Sequence, residues 1–364
     1  MYFQRIHIEL TNNCNFSCQF CPDSLMTRER GNIDFNLLCK AIDEISREKL
    51  TNQVLFHVMG EPALYPDLVK AVNYAKDRGL EVHLTTNGSM MNEDIIDKLL
   101  NANIDHVLFS VQTPDEKSFG LRCANINFYE YKKRVTLLIA KILRKSKNTI
   151  TSISFLTTPF KWLILPSKQF RTIDNKKKLI DSIKSWTDDV LTHLDGNGAR
   201  EEIENGVRDL RSPILKSNSL GWNRFKVSSK LFIEARPVGD WIHPALFSRE
   251  FHKAKIGCCE GLDKHFGILW NGDLIFCCVD FDGKTVFGNI NKSTIKESFQ
   301  NEKVQATIKD FKRFHISHPY CQRCLGDVSL LSSLARQVGS VFYFKWYRKH
   351  WWGKRDMEKV LLNV

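Results

Sequence analysis

Apolar positions recur along the first 155 residues with two alternating periods. Short runs rich in β-branched and aromatic residues predict strands at Arg5–Leu10, Gln53–Met59, Glu81–Thr86, His106–Val111 and Ile150–Leu156. Between them, apolar residues at helical spacing predict helices over Phe35–Arg47, Asp67–Arg78, Asn92–Asn101 and Phe128–Lys145. Gly79 suits the end of the second helix. Asn92, followed by Glu93 and Asp94, suits the start of the third, where a side-chain acceptor and negative charge meet free backbone N–H groups. Alternating strands and helices of this kind predict a parallel sheet. Right-handed crossovers would wind it into a partial or complete (β/α) barrel, with ligands at the carboxyl ends of its strands.

The pattern then weakens. Residues 157–225 hold a basic run, an acidic patch around Asp188, Asp189, Glu201, Glu202 and Glu204, and a Gly-Asn-Gly turn expected at 196–198 between helices. This stretch reads as an insertion near the last barrel strands. A strand resumes at Lys230–Arg236. Residues 257–328 read as a small cysteine-rich module. A hairpin is expected at Leu269–Leu274 with Asn271-Gly272 at its tip, then a short strand or turn at Phe287–Ile290 and one helix over Ile295–Phe311. The expected organisation is a barrel domain over 1–245, an α+β module over 255–328 and a basic aromatic tail over 329–364.

Composition narrows the class. Hydrophobic residues make up 43% of 364, as in a globular protein, and no run of eighteen apolar residues suggests a membrane-spanning helix. Met1-Tyr2-Phe3-Gln4 leads into the first strand without the charged and apolar regions of a signal peptide. Eleven cysteines then point to metal ligation in a reducing, cytoplasmic setting rather than to disulfides. The net charge of +12 is concentrated: residues 132–184 hold fourteen Lys/Arg against two Asp, so the remainder balances at 39 against 39. Such a field suits an anionic partner or a solvated face; nucleic acid is disfavoured because no stacking platform accompanies it. In the tail, Trp346, Tyr347, Trp351 and Trp352 interleave with Lys345, Arg348 and Lys349, a composition suited to peripheral contact with a membrane surface or to packing on the barrel.

The chemistry is carried by cysteines. Cys14, Cys18 and Cys21 form a C-x3-C-x2-C run directly after the first strand. Three thiolates on one loop can hold three irons of a [4Fe–4S] cube and leave the fourth open. Zinc is the competing ligand, although structural zinc sites usually pair two C-x2-C knuckles and no second knuckle lies nearby. Late in the chain come the doublets Cys258-Cys259 and Cys277-Cys278, then Cys321 and Cys324. One cysteine from each doublet completes a four-thiolate set, suited to a closed iron–sulfur cluster or to zinc. The set Cys259, Cys277, Cys321 and Cys324 is expected, with Cys258 and Cys278 as alternatives. Cys39 and Cys123 read as structural thiols.

The first run, with Phe20 before its last cysteine, resembles that of the radical S-adenosylmethionine (SAM) enzymes. Met59-Gly60-Glu61-Pro62 after the second strand resembles that family's Gly-Gly-Glu-Pro, with Met59 in place of the first glycine, and Thr85-Thr86-Asn87-Gly88 ends the third strand as the family does. The resemblance implies a partial (β/α)6-type barrel with SAM on the open iron. It implies Gly60, Glu61, Asn87, Ser110 and Arg122 around SAM, with Arg122 on its carboxylate. The order of the late cysteines around Asn-Gly-Asp and Gly-Asn-Ile resembles the twitch or SPASM module, which carries an auxiliary [4Fe–4S] cluster. The resemblance covers about 1–155 and 227–328.

By that resemblance, the expected reaction is abstraction of a substrate hydrogen by a 5′-deoxyadenosyl radical. The expected substrate is an alcohol of sugar or aminocyclitol type, with an anionic sugar as one option, and the auxiliary cluster would accept an electron. A flavodoxin or ferredoxin would supply the reducing electron. No catalytic base is assigned; Glu234, Arg236, Asp240 and Asp280 are the nearest strand-end and cluster-side groups. The alternatives are a peptide or protein maturase, for which no N-terminal recognition domain precedes Cys14, and a non-enzymatic electron carrier, which would ligate every iron.

Overall fold

The computed structural model describes residues 1–158, 172–194, 197–216, 220–238 and 251–345. Asp240 and the tail from Trp346 lie outside the described residues. Among the described residues, ten strands form one sheet: β1 (Arg5–Ile8), β2 (Gln53–Phe56), β3 (Glu81–Thr86), β4 (His106–Gln112), β5 (Ile150–Thr157), β6 (Asn223–Lys226), β7 (Leu231–Pro237), β8 (His265–Ile268), β9 (Asp273–Ile275) and β10 (Gly288–Asn289). Their order is β10-β9-β8-β1-β2-β3-β4-β5-β7-β6. From β8 through β1 to β5 and β7 every pairing is parallel, while β6, β9 and β10 pair antiparallel at the two edges.

Helices cover the outer face: α1 (Phe35–Arg47), α2 (Leu68–Asp77), α3 (Glu93–Asn101), the short α4 (Glu116–Phe119), α5 (Phe128–Lys145), α6 (Lys176–Thr192) and α7 (Asn197–Lys216). Apart from α4, successive helices pack on one another around that face. Outward strand residues such as Ile6, Val54, Val82, Val107 and Ile153 are buried beneath them. Asn92 caps α3 by accepting from the Ile95 N–H at 2.8 Å. The inward face is polar instead: Arg5, His7, Gln53, His83, His106, Ser152, Glu234 and His265 are all buried there. Four strands separate β1 from β7, which at about 4.8 Å per strand would hold Arg5 and Arg236 more than about 20 Å apart in a flat sheet. Their guanidiniums nevertheless act on each other and on the Cys278 thiol. The sheet is therefore curled, with this polar face inside a partial barrel.

The stretch 157–225 contributes α6 and α7. Trp186 on α6 is fully buried and donates its Nε1–H to the Pro114 carbonyl at 2.8 Å. Asn197 and Gly198 open α7, so the turn expected at 196–198 is absent at the two described positions. The basic run is partly neutralised within the fold: Lys132 meets Asp189, Lys141 meets Glu93 and Asp97, and Lys178 meets Asp115.

After β7 the chain forms the cysteine-rich module, with α8 (Ile295–Gln300), α9 (Glu302–Lys312), α10 (Pro319–Leu325) and α11 (Leu330–Phe342). The single helix expected over Ile295–Phe311 is two helices. Asn301 ends α8 and caps α9, its side chain accepting from the Lys303 N–H at 2.9 Å. No helix among the described residues is long and apolar enough to cross a membrane.

Candidate functional site

The loop after β1 carries Cys14, Cys18 and Cys21 and is tied down on both sides. Asn12 accepts from the Gly31 N–H at 2.8 Å and donates to the Glu29 carbonyl at 2.8 Å. The Asn13 carbonyl accepts from the Glu61 N–H at 2.8 Å, joining the loop to the turn after β2. Gly60 makes that junction possible. Its φ is +78°, and a Cβ there would fall on the Thr11 carbonyl oxygen and within 2.8 Å of the Asn12 Cα.

Glu61 is buried and joins this turn to the end of β3. Its carboxylate accepts from Thr86 Oγ1 at 2.5 Å, the Asn87 N–H at 2.6 Å and the Ala63 N–H at 3.0 Å. Burial pushes its pKa up, and those donors oppose the shift. Asn87 Nδ2 in turn donates to Asn15 Oδ1 within the cysteine loop at 3.0 Å. The cysteine loop, the Gly-Glu-Pro turn and the Thr-Thr-Asn-Gly turn thus form one hydrogen-bonded unit.

Arg122 closes the opposite side. One guanidinium nitrogen donates to the carbonyls of Ser110 and Val111 at 2.9 and 3.2 Å, where β4 bulges. The group lies 4.8 Å from the centre of the Phe16 ring. Burial disfavours its charge, but Cys18, Cys14 and Glu61 around it raise its pKa overall. Its Nε–H is buried without a partner, so the side chain retains a donor for an incoming carboxylate. The structure therefore brings together Gly60, Glu61, Asn87 and Arg122, and Ser110 through its carbonyl.

The three thiols act on one another electrostatically. Burial and the Cys18 thiol are among the groups that raise Cys14 to about 11 and Cys21 to about 12. Cys18 also feels Cys123, which is exposed and accepts from Gln19 Nε2 at 3.6 Å. Cys123 therefore flanks the cysteine loop.

In the module, Cys277 is affected by Cys259, Cys278, Cys324 and Cys321, while Cys321 and Cys324 are both affected by Cys259. Three segments thus bring four thiols to one place. Cys258 instead faces Lys345 and Asp263 and receives a backbone N–H from its neighbour Cys259. Cys278 acts on Cys259, Cys277 and Cys324 and is itself acted on by Arg5 and Arg236 in the barrel. Asp280 is fully buried and accepts from the Lys284 and Thr285 N–H groups and the Thr285 hydroxyl, which organises the turn after Cys278. Glu234 is engaged by Arg236 at 2.5 and 2.9 Å, with Arg224 at 3.8 Å.

Among the described residues, no three His, Cys, Asp or Glu side chains have the geometry for a single metal ion. A four-iron cube instead takes thiolates spread over its corners. Cys14, Cys18 and Cys21 fit three corners of one cube; Cys259, Cys277, Cys321 and Cys324 fit four of another.

Glu9 and Arg28 fasten the two halves together, and sequence reasoning did not single them out. Glu9 is fully buried and pairs bidentately with Arg28 at 2.7 Å for both bonds. It also accepts from the Met59 and Trp270 N–H groups, while Arg28 donates to the Phe281 carbonyl. The polar residue at the end of an alternating strand was the available signal.

Residues 8–159 match the family model of the radical SAM superfamily, and residues 258–325 match that of the SPASM iron–sulfur cluster-binding domain. The tungsten-containing aldehyde ferredoxin oxidoreductase cofactor-modifying protein of Pyrococcus furiosus is 27% identical over 106 residues, 29% of this chain and 30% of that protein. The PqqA peptide cyclase of Gluconobacter oxydans is 34% identical over 109 residues, 30% of each chain. The aligned stretch thus spans under a third of these curated relatives. Streptococcus suis SuiB bound to precursor peptide SuiA superposes with a TM-score of 0.55 at 13% identity, over 85% of this chain and 67% of that one. Native anSMEcpe with bound AdoMet gives 0.51 at 16% identity, over 93% and 97%. At these identities the two structures establish a shared fold.

Proposed function

Because the chain carries a radical SAM superfamily domain at 8–159 and a SPASM iron–sulfur cluster-binding domain at 258–325, we propose that it is a SAM-cleaving oxidoreductase acting on a substrate held inside the barrel. The fold accommodates SAM and two [4Fe–4S] clusters, which when bound supply a hydrogen-abstracting 5′-deoxyadenosyl radical and a one-electron acceptor. Cys14, Cys18 and Cys21 hold the first cluster, and Cys259, Cys277, Cys321 and Cys324 the second. Arg122 takes the SAM carboxylate, and the backbone of Gly60–Glu61 faces its amino group.

The preferred substrate is an alcohol of sugar or aminocyclitol type. Its oxidation to a ketone removes one hydrogen atom, one proton and one electron from the carbinol. The observation that supports this reading is the position of Cys278. It adjoins the ligand Cys277 yet lies within electrostatic reach of Arg5 and Arg236 inside the barrel. The second thiolate set therefore borders the space where a substrate radical would need an acceptor.

A peptide maturase is the second reading, favoured by the stretch shared with the PqqA peptide cyclase. The test is 5′-deoxyadenosine formation from SAM by the anaerobically reconstituted, reduced protein. Wild type should form it, Cys18→Ser should not, and sugar alcohols should accelerate it more than peptides. No product from wild type holding both clusters would defeat the proposal.

A further inference from the structure

Arg5 has no role in holding SAM or either cluster, yet it is buried on the inward face of β1. One of its nitrogens meets His265 Nδ1 at 3.4 Å and stands 3.9 Å from a Glu260 carboxylate oxygen. Its Nε and Nη1 groups are buried without hydrogen-bond partners. Beside it, His7 donates its Nδ1–H to the His57 carbonyl at 3.2 Å, which leaves its buried, unpartnered Nε2 as an acceptor. Two neighbouring side chains thus present unsatisfied polar atoms to the same interior, an arrangement that is costly unless something fills it.

The charge there is lopsided. Arg236 stands within electrostatic reach of both Arg5 and Arg224; Glu234 is shared by Arg224 and Arg236, and a Glu260 oxygen lies 3.9 Å from Arg5. The surrounding imidazoles add no negative charge. His7, His57 and His265 are all shifted down, first by burial and then by neighbouring positive groups. A buried region with spare guanidinium donors and an excess of positive charge is built for an anion.

We infer that Arg5, with Arg236 across the barrel, binds an anionic group of the substrate, a carboxylate or a phosphate. This rests on the reading that the barrel interior holds the substrate. It assigns the chemical class of one end of that substrate and places that end on the side of the barrel bordered by Cys278.

The test uses reconstituted holoenzyme with saturating SAM, so that Arg122 is occupied. Its melting temperature is followed while sodium phosphate, and separately sodium acetate, is titrated against sodium chloride at equal ionic strength. Phosphate or acetate should stabilise saturably where chloride does not, and the anion bound at lower concentration identifies the class. Arg5→Gln and Arg236→Gln should each weaken that binding by about tenfold or more. If Arg5→Gln fails to retain iron, Arg236→Gln carries the comparison. An absent saturable response in wild type, or one equally strong in the variants, would overturn the inference. SAM cleavage by wild type is scored separately. Its failure would sink the functional reading, whereas intact cleavage without an anion response would sink the anion site alone.

Discussion

Acidification should destabilise this fold through the imidazoles lining the barrel, and His265 gives the size of the effect. It is buried, and burial together with the Arg5 guanidinium lowers its pKa from 6.5 to about 3. Arg5 can only donate, so His265 Nδ1 accepts and must stay unprotonated. In the unfolded chain the imidazole takes up a proton below its ordinary pKa, whereas in the folded chain it does not until the pH is far lower. Stability is therefore present above about pH 6.5 and is lost as the pH falls toward 3. At about pH 5 the unfolded state is favoured roughly thirtyfold by this one group, or about 2 kcal/mol. That is a large share of the roughly 5–15 kcal/mol that stabilises a typical domain. His7 and His106 shift in the same direction and add to the slope. Anaerobic urea unfolding at about pH 7 and about pH 5, on wild type and His265→Gln, isolates the contribution. Protonation of cysteine ligands is common to both proteins and cancels. The variant should lose about 2 kcal/mol less on acidification than wild type. Equal losses in the two proteins would refute the reasoning.

Gly60→Ala should cost about 2 kcal/mol or more, because it combines a left-handed backbone with a collision at Thr11. A lowered melting temperature together with reduced iron retention would show it. Among the doublets, Cys259→Ser and Cys277→Ser should each abolish the second cluster, whereas Cys258→Ser and Cys278→Ser should keep it, as read by iron content and low-temperature electron paramagnetic resonance. Trp186→Ala should destabilise by about 3–5 kcal/mol through the cavity it leaves, while purified folded protein retains both clusters.

Much of this architecture was written in local periodicity. The helices Phe35–Arg47 and Phe128–Lys145 begin and end as their spacing implies, because apolar stripes and flanking Asp34 and Asn127 caps agree. The motif residues were legible for a different reason: Gly60, Glu61, Asn87 and Arg122 are identifiable by resemblance, and the close approach at Gly60, the Glu61–Asn87 bond and the anchoring of Arg122 on the β4 carbonyls explain why those residue types are needed. α6 was obscured by composition. Leu179, Ile183, Trp186 and Val190 keep helical spacing, but Lys176, Lys177, Lys178 and Lys184 dominate the segment. The polar barrel lining was harder to see. In Arg5-Ile6-His7-Ile8-Glu9 the alternation is plain, yet alternation alone cannot tell a solvent-facing side from the inside of a curled sheet. The doublets depend on which way adjacent residues point, which the sequence does not show; Cys258 faces Lys345, while Cys278 reaches both Arg5 and the other module thiols.

The most direct measurement is iron and acid-labile sulfide per chain after anaerobic reconstitution, on wild type and on the Cys14/Cys18/Cys21→Ala triple variant. The account predicts about eight irons in wild type and about four in the variant, with 5′-deoxyadenosine formation lost in the variant. About four irons in both proteins, or SAM cleavage that survives the triple substitution, would contradict it.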